Sequence, residues 1–343
     1  MNNERTWPHR SETSHFSTLP FPTKNPNPKH NLNSPSIPVR RRQFRSSSSP
    51  SRRSNHGHRD FASLPNDILI KIAGNFSLPN LQTASLVCKS WRDGLRPLRE
   101  AMLFLRWGKR FKHGRGGVKV NVEKALDSFL KGAARGSTLA MVDAGLVYME
   151  IGKKEEGIAL YKRAAELGDP AGQCNLGLTY LQAEPPNEKE AVKWLYKASV
   201  AGYVRGQYQL ALCFHRGIGI GQSLSDAARW YLRAAEGGYV RAMYNLSLCY
   251  SLGSGISQNL RQARKWMKLA ADHGHRKAQF EHGLALFAEG QMMKAVVYLE
   301  LAECGGETAA VHVKNVILQQ LPQLSRERAL TLAENWRPLP STR

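Results

Sequence analysis

Two consecutive segments decide how this chain is read: RGQYQLALCFHRGIGIGQSLSDAARWYLRAAEGG (Arg205–Gly238) and YVRAMYNLSLCYSLGSGISQNLRQARKWMKLAADHG (Tyr239–Gly274). Gly238 and Gly274 each follow an alanine pair, Ala234-Ala235 and Ala270-Ala271. Each is preceded at the same distance by a tryptophan, Trp230 and Trp266, so the period is 36. Extended both ways, the glycine recurs at Gly136, Gly168, Gly202, Gly238, Gly274 and Gly306, with spacings of 32, 34, 36, 36 and 32. Self-similarity at this length marks a solenoid of helical hairpins.

The phase holds at other positions. Nine residues after five of these glycines stands a small residue: Gly145, Gly177, Ala211, Ser247 or Gly283. Three residues further comes Tyr148, Tyr180, Phe214, Tyr250 or Leu286. Eleven residues before each glycine stands Ala125, Gly157, Ala191, Ala227, Ala263 or Ala295. A residue without bulk lets two helix backbones approach, and a ring one turn away fills the groove beside it. The spacings of Ala227, Trp230 and Ala234, and of Ala242, Leu246 and Tyr250, put each set on one helical face.

The length of 343 residues allows about two domains. The net charge of +22 divides unevenly: residues 1–59 hold eleven Arg/Lys against Glu4 and Glu12, or +9, which leaves +13 on the remaining 284. Read along the sequence, that remainder is spread over the repeat surfaces, which favours a solvated face or an acidic partner over DNA readout. No apolar run approaches the roughly 20 residues that cross a bilayer, so a soluble protein is expected. The five cysteines (Cys88, Cys174, Cys213, Cys249, Cys304) include no C-x-x-C pair and suit a reducing compartment. Cys174, Cys213 and Cys249 fall in repeat helices, as small packed side chains do.

Residues 1–59 contain eight prolines, the serine run Ser46–Ser49 and few aliphatic side chains, a composition that predicts disorder. Arg40-Arg41-Arg42, Arg45 and Arg52-Arg53 fit a nuclear-import signal or a solvated charge run. The Arg/Ser-rich, acid-poor start also fits an organellar transit peptide, although its prolines oppose an amphipathic helix. The expected location is nucleus, cytoplasm or both, ahead of an organelle.

Between Arg59 and Pro97 the pattern turns compactly apolar, and three short helices are the natural reading. Asp67 complements the positive end of a helix dipole, while Pro79 and Asn80 punctuate the start of the next helix. A module of this size is marginal alone, and its excess of Leu, Ile, Val and Trp predicts a surface completed by a partner. Leu64-Pro65-x-Asp67-Ile68-Leu69, then Leu78-Pro79-x-Leu81, then Val87-Cys88-Lys89-x-Trp91-Arg92 resembles an F-box. The resemblance implies docking on a Skp-type adaptor, and through it on cullin and RING subunits. The positions that match the adaptor-facing pattern are Leu64, Pro65, Ile68, Leu69, Leu86, Val87, Cys88 and Trp91. Ile68, Leu86 and Trp91 are equally compatible with the module's own core; Phe61 and Ile72 read as core. Asn80 stands where the family often has an acidic residue, and both residue types cap helices. An N-terminal cap for the solenoid is the purely structural alternative.

The repeats resemble Sel-like repeats, short relatives of the tetratricopeptide hairpin, through Leu246-Ser247-x-x-Tyr250-x-x-Gly253-x-Gly255-Ile256 and Ala263-Arg-Lys-Trp266-x-x-x-Ala270-Ala271-x-x-Gly274. The resemblance implies a right-handed superhelix that recognises proteins and has no activity of its own. Six units are expected from about Leu103 to Gly306. The ring of the first, Phe111, stands one position out of phase. Residues 307–321 begin another hairpin, and Ser325 with Glu327 starts a closing helix that ends near Trp336.

The expected fold is therefore all-α: a basic tail (1–59), a three-helix F-box (60–98), an α-solenoid of about six Sel-like repeats (102–306) and a C-terminal helical cap and tail (307–343). Successive first helices line one inner surface. Arg205, Gln207, Gln209, Arg241, Asn245 and Gln279 form a candidate client-binding row there, or ordinary solvated helix surface. Gly217-x-Gly219-x-Gly221 and Gly253-x-Gly255 lack the Lys-Ser/Thr and the preceding strand of a phosphate loop and read as hairpin turns. His273, His275 and His282, like His56 and His58, lack the carboxylate or cysteine partners of a metal site. No cofactor, metal or catalytic residue is expected. The sequence thus reads as a non-catalytic substrate-recognition subunit of an SCF-type ubiquitin ligase with an unidentified client. A non-degradative scaffold is the alternative, and a basic nucleic-acid binder a more distant one.

Overall fold

The structure is a computed structural model that describes residues 64–73 and 76–340, and every described element is a helix. The arginine clusters of the tail, Phe61, His56 and His58 lie outside the described residues. Three short helices come first, α1 (Asn66–Ala73), α2 (Leu78–Ala84) and α3 (Lys89–Gly94), and then the longer α4 (Arg96–His113). Eleven helices of 13 residues follow: α5 (Val122–Ala134), α6 (Thr138–Glu150), α7 (Lys154–Glu166), α8 (Pro170–Gln182), α9 (Glu188–Val200), α10 (Val204–Arg216), α11 (Leu224–Glu236), α12 (Val240–Leu252), α13 (Leu260–Asp272), α14 (Arg276–Ala288) and α15 (Met292–Cys304). The chain closes with α16 (Ala309–Gln320) and α17 (Gln323–Glu334). At about 1.5 Å of rise per residue, each repeat helix is roughly 20 Å long.

Local chemistry fixes these lengths. Four of the six second helices start on a side chain that accepts from the backbone three residues on: Asn121 from Lys124, Asn187 from Glu190, Ser223 from Asp226, Asn259 from Gln262. Each second helix ends on the periodic glycine. At Gly238 (φ +84°) the Tyr239 N–H donates to the Ala234 carbonyl and the Gly238 N–H to the Ala235 carbonyl, each at 2.9 Å. This is the left-handed helix ending that a side chain would strain. The glycine that sets the period therefore marks the point where one hairpin hands over to the next.

From α4 to α16 each helix packs on its neighbours in the chain, and the hairpins stack into a solenoid. The first helices α4, α6, α8 and α10 also approach one another, which makes theirs the inner row. The small-residue row does the packing expected of it: a Cβ at Gly145 would lie 2.6 Å from the Tyr161 ring, and one at Gly177 would lie 2.8 Å from Leu195. Gly108 holds the same place in the first unit, 2.4 Å from the Phe129 ring by the same construction. Phe111 follows Gly108 by three residues, as Tyr148 follows Gly145, so the ring is in phase on α4. The turn between α4 and α5 absorbs the extra residue.

The C-terminal end differs in detail from expectation. The closing helix starts at Gln323, directly after Pro322, and α17 packs on α15. The chain then returns to α13: the Leu339 N–H donates to the Asp272 carbonyl at 2.9 Å, and the Leu339 carbonyl lies 3.0 Å from His273 Nδ1. Lys314 is drawn inward to pair with Glu300 at 2.7 Å and with Glu303.

Candidate docking and client-binding surfaces

The N-terminal module owes its shape to one core. Leu69, Ala73, Leu81, Ala84 and Leu95 are buried together, with Phe76, Trp91, Leu98 and Met102 packed around them. Leu98 and Met102 belong to α4, so this helix completes the module and runs on into the first repeat. The handle and the solenoid are joined by a continuous helix. Ser77 Oγ accepts from Asn80 N–H at 3.5 Å to start α2, and Cys88 Sγ accepts from Trp91 N–H at 3.4 Å to start α3.

The outer face is apolar as well. Ile68, Ile70 and Ile72 are 42%, 41% and 53% exposed, and Leu86 and Val87, in the turn between α2 and α3, are 75% and 62% exposed. Among the expected adaptor-facing positions, Pro65, Ile68, Leu86 and Val87 lie in solvent and Leu64, Cys88 and Trp91 are half-buried. Leu69 corrects the expectation. It is 2% exposed, because it and Ala73, four residues on, form the inward stripe of α1. Ile72, expected in the core, shares the outward stripe with Ile68.

The candidate client row splits in two. Arg205 and Arg241 are exposed, and with Gln209 they line a cleft of about 500 Å³ floored by Gly238, Tyr239 and Val240. Arg205 Nη1 lies 3.5 Å from Asn175 Oδ1. Asn245 lines a separate cleft of about 350 Å³ with Tyr231, His215 and Arg216. Gln207 and Gln279 are corrections: they are 8% and 3% exposed, and each Nε2 donates at 3.2 Å to a carbonyl at the end of the preceding helix, Ser199 and Ala271. Buried amides cannot meet a client; they satisfy backbone acceptors left over at a helix end. Gln173 repeats the contact on Ala165 at 3.4 Å.

Part of one polar row, Asp143, Asn175 and Glu281 beside the already named Gln209 and Asn245, escaped the sequence reading. Asp143, Asn175, Gln209, Asn245 and Glu281 follow the glycine spacings and stand at one position of successive first helices. Tyr244 Oη donates to Glu281 at 2.8 Å. Burial pushes the Asp143 carboxyl upward against the pull of Lys109, whose Nζ is 3.6 Å away. The period itself was the signal that would have found this row.

The histidines and thiols have structural partners. His275 Nδ1 accepts from Ala278 N–H at 3.3 Å and starts α14, while His282 meets Tyr298 edge to face at 4.7 Å. Among the described residues no group of three His, Cys, Asp or Glu is placed to hold a metal ion. Burial pushes the thiols of Cys174 and Cys249 up to about 11 and that of Cys213 to about 12, so neutral pH leaves all three protonated. No helix among the described residues is long and apolar enough to cross a membrane.

A solenoid of short hairpins fronted by a small helical module with an apolar outer face is an architecture for holding other proteins. Residues 61–95 match the F-box-like family, and residues 105–137, 144–169, 170–203, 204–239 and 240–275 match the Sel1 repeat. The sixth hairpin, α14 with α15, lies beyond the matched repeats and stacks as the others do. An F-box protein of Arabidopsis thaliana is 62% identical over 352 residues, covering 99% of each chain. Chitin synthase regulatory factor 3 of Schizosaccharomyces pombe is 31% identical over 124 residues, which cover 33% of this chain and 13% of that one. Two solved structures share the fold. A protective antigen of uropathogenic Escherichia coli displaying an SLR fold has a TM-score of 0.60 at 20% identity, covering 79% of this chain and 63% of its own. A Sel1 repeat protein from Oxalobacter formigenes has a TM-score of 0.54 at 24% identity, covering 78% and 86%. The chain belongs to the F-box proteins of the plant kind that carry Sel1 repeats.

Proposed function

We propose that this F-box protein is the substrate-recognition subunit of an SCF-type cullin ubiquitin ligase. The F-box docks a Skp-type adaptor, and the inner row of the repeats holds a client protein within reach of the activated ubiquitin. The observation that carries the reading is the apolar stripe of Pro65, Ile68, Ile72, Leu86 and Val87. These side chains stay in water although the module already has a complete core, and covering them with a partner gains roughly 25 cal/mol per Å² of apolar surface. Both families typically supply non-catalytic adaptors. Bond making belongs to the bound ligase machinery, to which this chain contributes proximity and orientation. The polar inner row, with Arg205, Gln209 and Arg241 around one cleft, is the proposed client surface. The tail arginines would direct the protein to the nucleus as well as the cytoplasm, an assignment that a fluorescent fusion with Arg40, Arg41 and Arg42 changed to alanine would test.

The main test is co-purification with a Skp-type adaptor. Ile68→Asp with Val87→Asp abolishes capture while the variant melts like the wild type, because neither side chain supports the core. Capture that survives both charges removes the ligase reading and leaves an interaction scaffold.

A further inference from the structure

Residues 96–119 hold eight Arg/Lys and one acid, Glu100, so they carry +7 of the +13 found outside residues 1–59. This corrects the expectation of charge spread along the repeats: more than half of it lies on α4 and the turn after it, at the joint between F-box and solenoid. Part of this charge is engaged. Arg96 and Arg135 meet Glu100 at 3.0 and 2.8 Å, and Lys112 meets Glu150 at 2.8 Å. Arg106, Lys109, Arg110 and Arg115 line a cleft of about 460 Å³ between α2 and α4. Lys109 reaches Asp143 at 3.6 Å, and the Arg110 guanidinium lies over the Trp107 ring, 5.1 Å from its centre. Arg106 and Arg115 are exposed and pair with no carboxylate among the described residues. The floor between these cations is apolar, made by Leu78 and Pro79 from α2 and by Met102 and Leu105 from α4.

We propose that this cleft is a docking site for an acidic peptide segment carrying a bulky apolar side chain. Its carboxylates would meet Arg106, Lys109 and Arg115, and its apolar group would cover the floor. Arginine forks match carboxylates, and two of them stand here without one. The floor decides the class of ligand. A compact polyanion such as an inositol phosphate would satisfy the rim and leave Leu78, Pro79 and Met102 in contact with water, whereas a peptide satisfies both. The cleft shares no residue with the exposed F-box stripe or with the Arg205–Arg241 cleft, so the inference stands apart from the ligase reading.

The test is fluorescence anisotropy on the full chain with a fluorescein-labelled peptide of glutamates around a leucine-phenylalanine pair. Arg106→Glu with Arg115→Glu weakens binding by about tenfold or more, and Arg106→Gln with Arg115→Gln weakens it less in the same direction. Arg261→Glu with Lys265→Glu, two exposed cations on α13, makes the same change in net charge away from both clefts and leaves affinity within about twofold. Replacing the leucine-phenylalanine pair by serines weakens binding to the wild-type chain. Equal losses from the two glutamate pairs, or none from Arg106 and Arg115, overturn the site. Serine-substituted peptide that binds as well as the parent, with inositol hexakisphosphate displacing both, overturns the peptide in favour of a polyanion.

Discussion

In residues 64–95 the helices run six to eight residues and leave Ile68, Ile70, Ile72, Leu86 and Val87 in solvent. Between Val122 and Cys304 the helices run thirteen residues and bury large rings such as Phe129, Tyr161, Phe214, Trp230 and Tyr231 to 3% exposure or less. The two regions are joined through α4, yet they treat apolar surface in opposite ways. The solenoid spends its aromatic residues on its own stacking and turns polar side chains inward to its concave row. The F-box spends few on its core and keeps a stripe outside. Substitution should therefore affect stability in one region and association in the other.

The sharpest contrast comes from one ring in each. Trp230 is 1% exposed, packed edge to face on Tyr196 at 6.4 Å and covered by Arg233. Trp230→Ala removes it from between two hairpins and costs about 3–5 kcal/mol, read from urea denaturation. Ile68→Ala, on the outer stripe, changes stability by no more than about 0.5 kcal/mol in the same measurement while weakening capture of the adaptor. A large stability loss at Ile68 would make the outer stripe part of the core and erase the contrast.

Acid probes the same division. Burial, with repulsion from Arg241, Lys277 and Arg276, holds the His275 imidazole down from its usual 6.5 to about 4. The ring is stacked on Tyr244 at 4.6 Å, and its Nδ1 must be unprotonated to accept from Ala278. The folded state thus favours the neutral ring. Its contribution is full above about pH 6.5 and is lost as the pH falls toward about 4, a loss of about 3 kcal/mol at most. His275→Asn, which caps without titrating, flattens the pH dependence of melting across that window; an unchanged profile would place the acid sensitivity elsewhere.

Much of this was legible in the residues. The glycine series gave the hairpins because the left-handed helix ending admits little else, and the ordered F-box text placed the handle. Facing was harder to read. α1 carries Ile68, Leu69, Ile70 and Ile72 in near succession, so its apolar residues go all round and the pattern cannot say that Leu69 points in and Ile72 out. Phe111 seemed displaced because a turn lengthened while its helix kept phase. The return of Leu339 to Asp272 has no periodicity to announce it. The glutamines misled for a different reason: polarity reads as exposure unless a buried acceptor is known to wait nearby.

Those glutamines supply the smallest effect and the finest test of the comparison. Gln279 donates to the Ala271 carbonyl, which also accepts from the Gly274 N–H at 2.9 Å, so removing the amide leaves that oxygen with a partner. At the same place in other units the chain carries Met141 and Met243, both buried, and the packing there already tolerates a long apolar side chain. Gln279→Met therefore forfeits one net hydrogen bond, about 0.5–1.5 kcal/mol, offset in part by an easier burial. Client affinity stays as in the wild type, whereas Arg205→Glu with Arg241→Glu lowers it without moving the melting point. If Gln279→Met instead weakened the client and left stability untouched, the amide would have to leave its carbonyl in the bound state, and the inner row would extend deeper than its exposed residues.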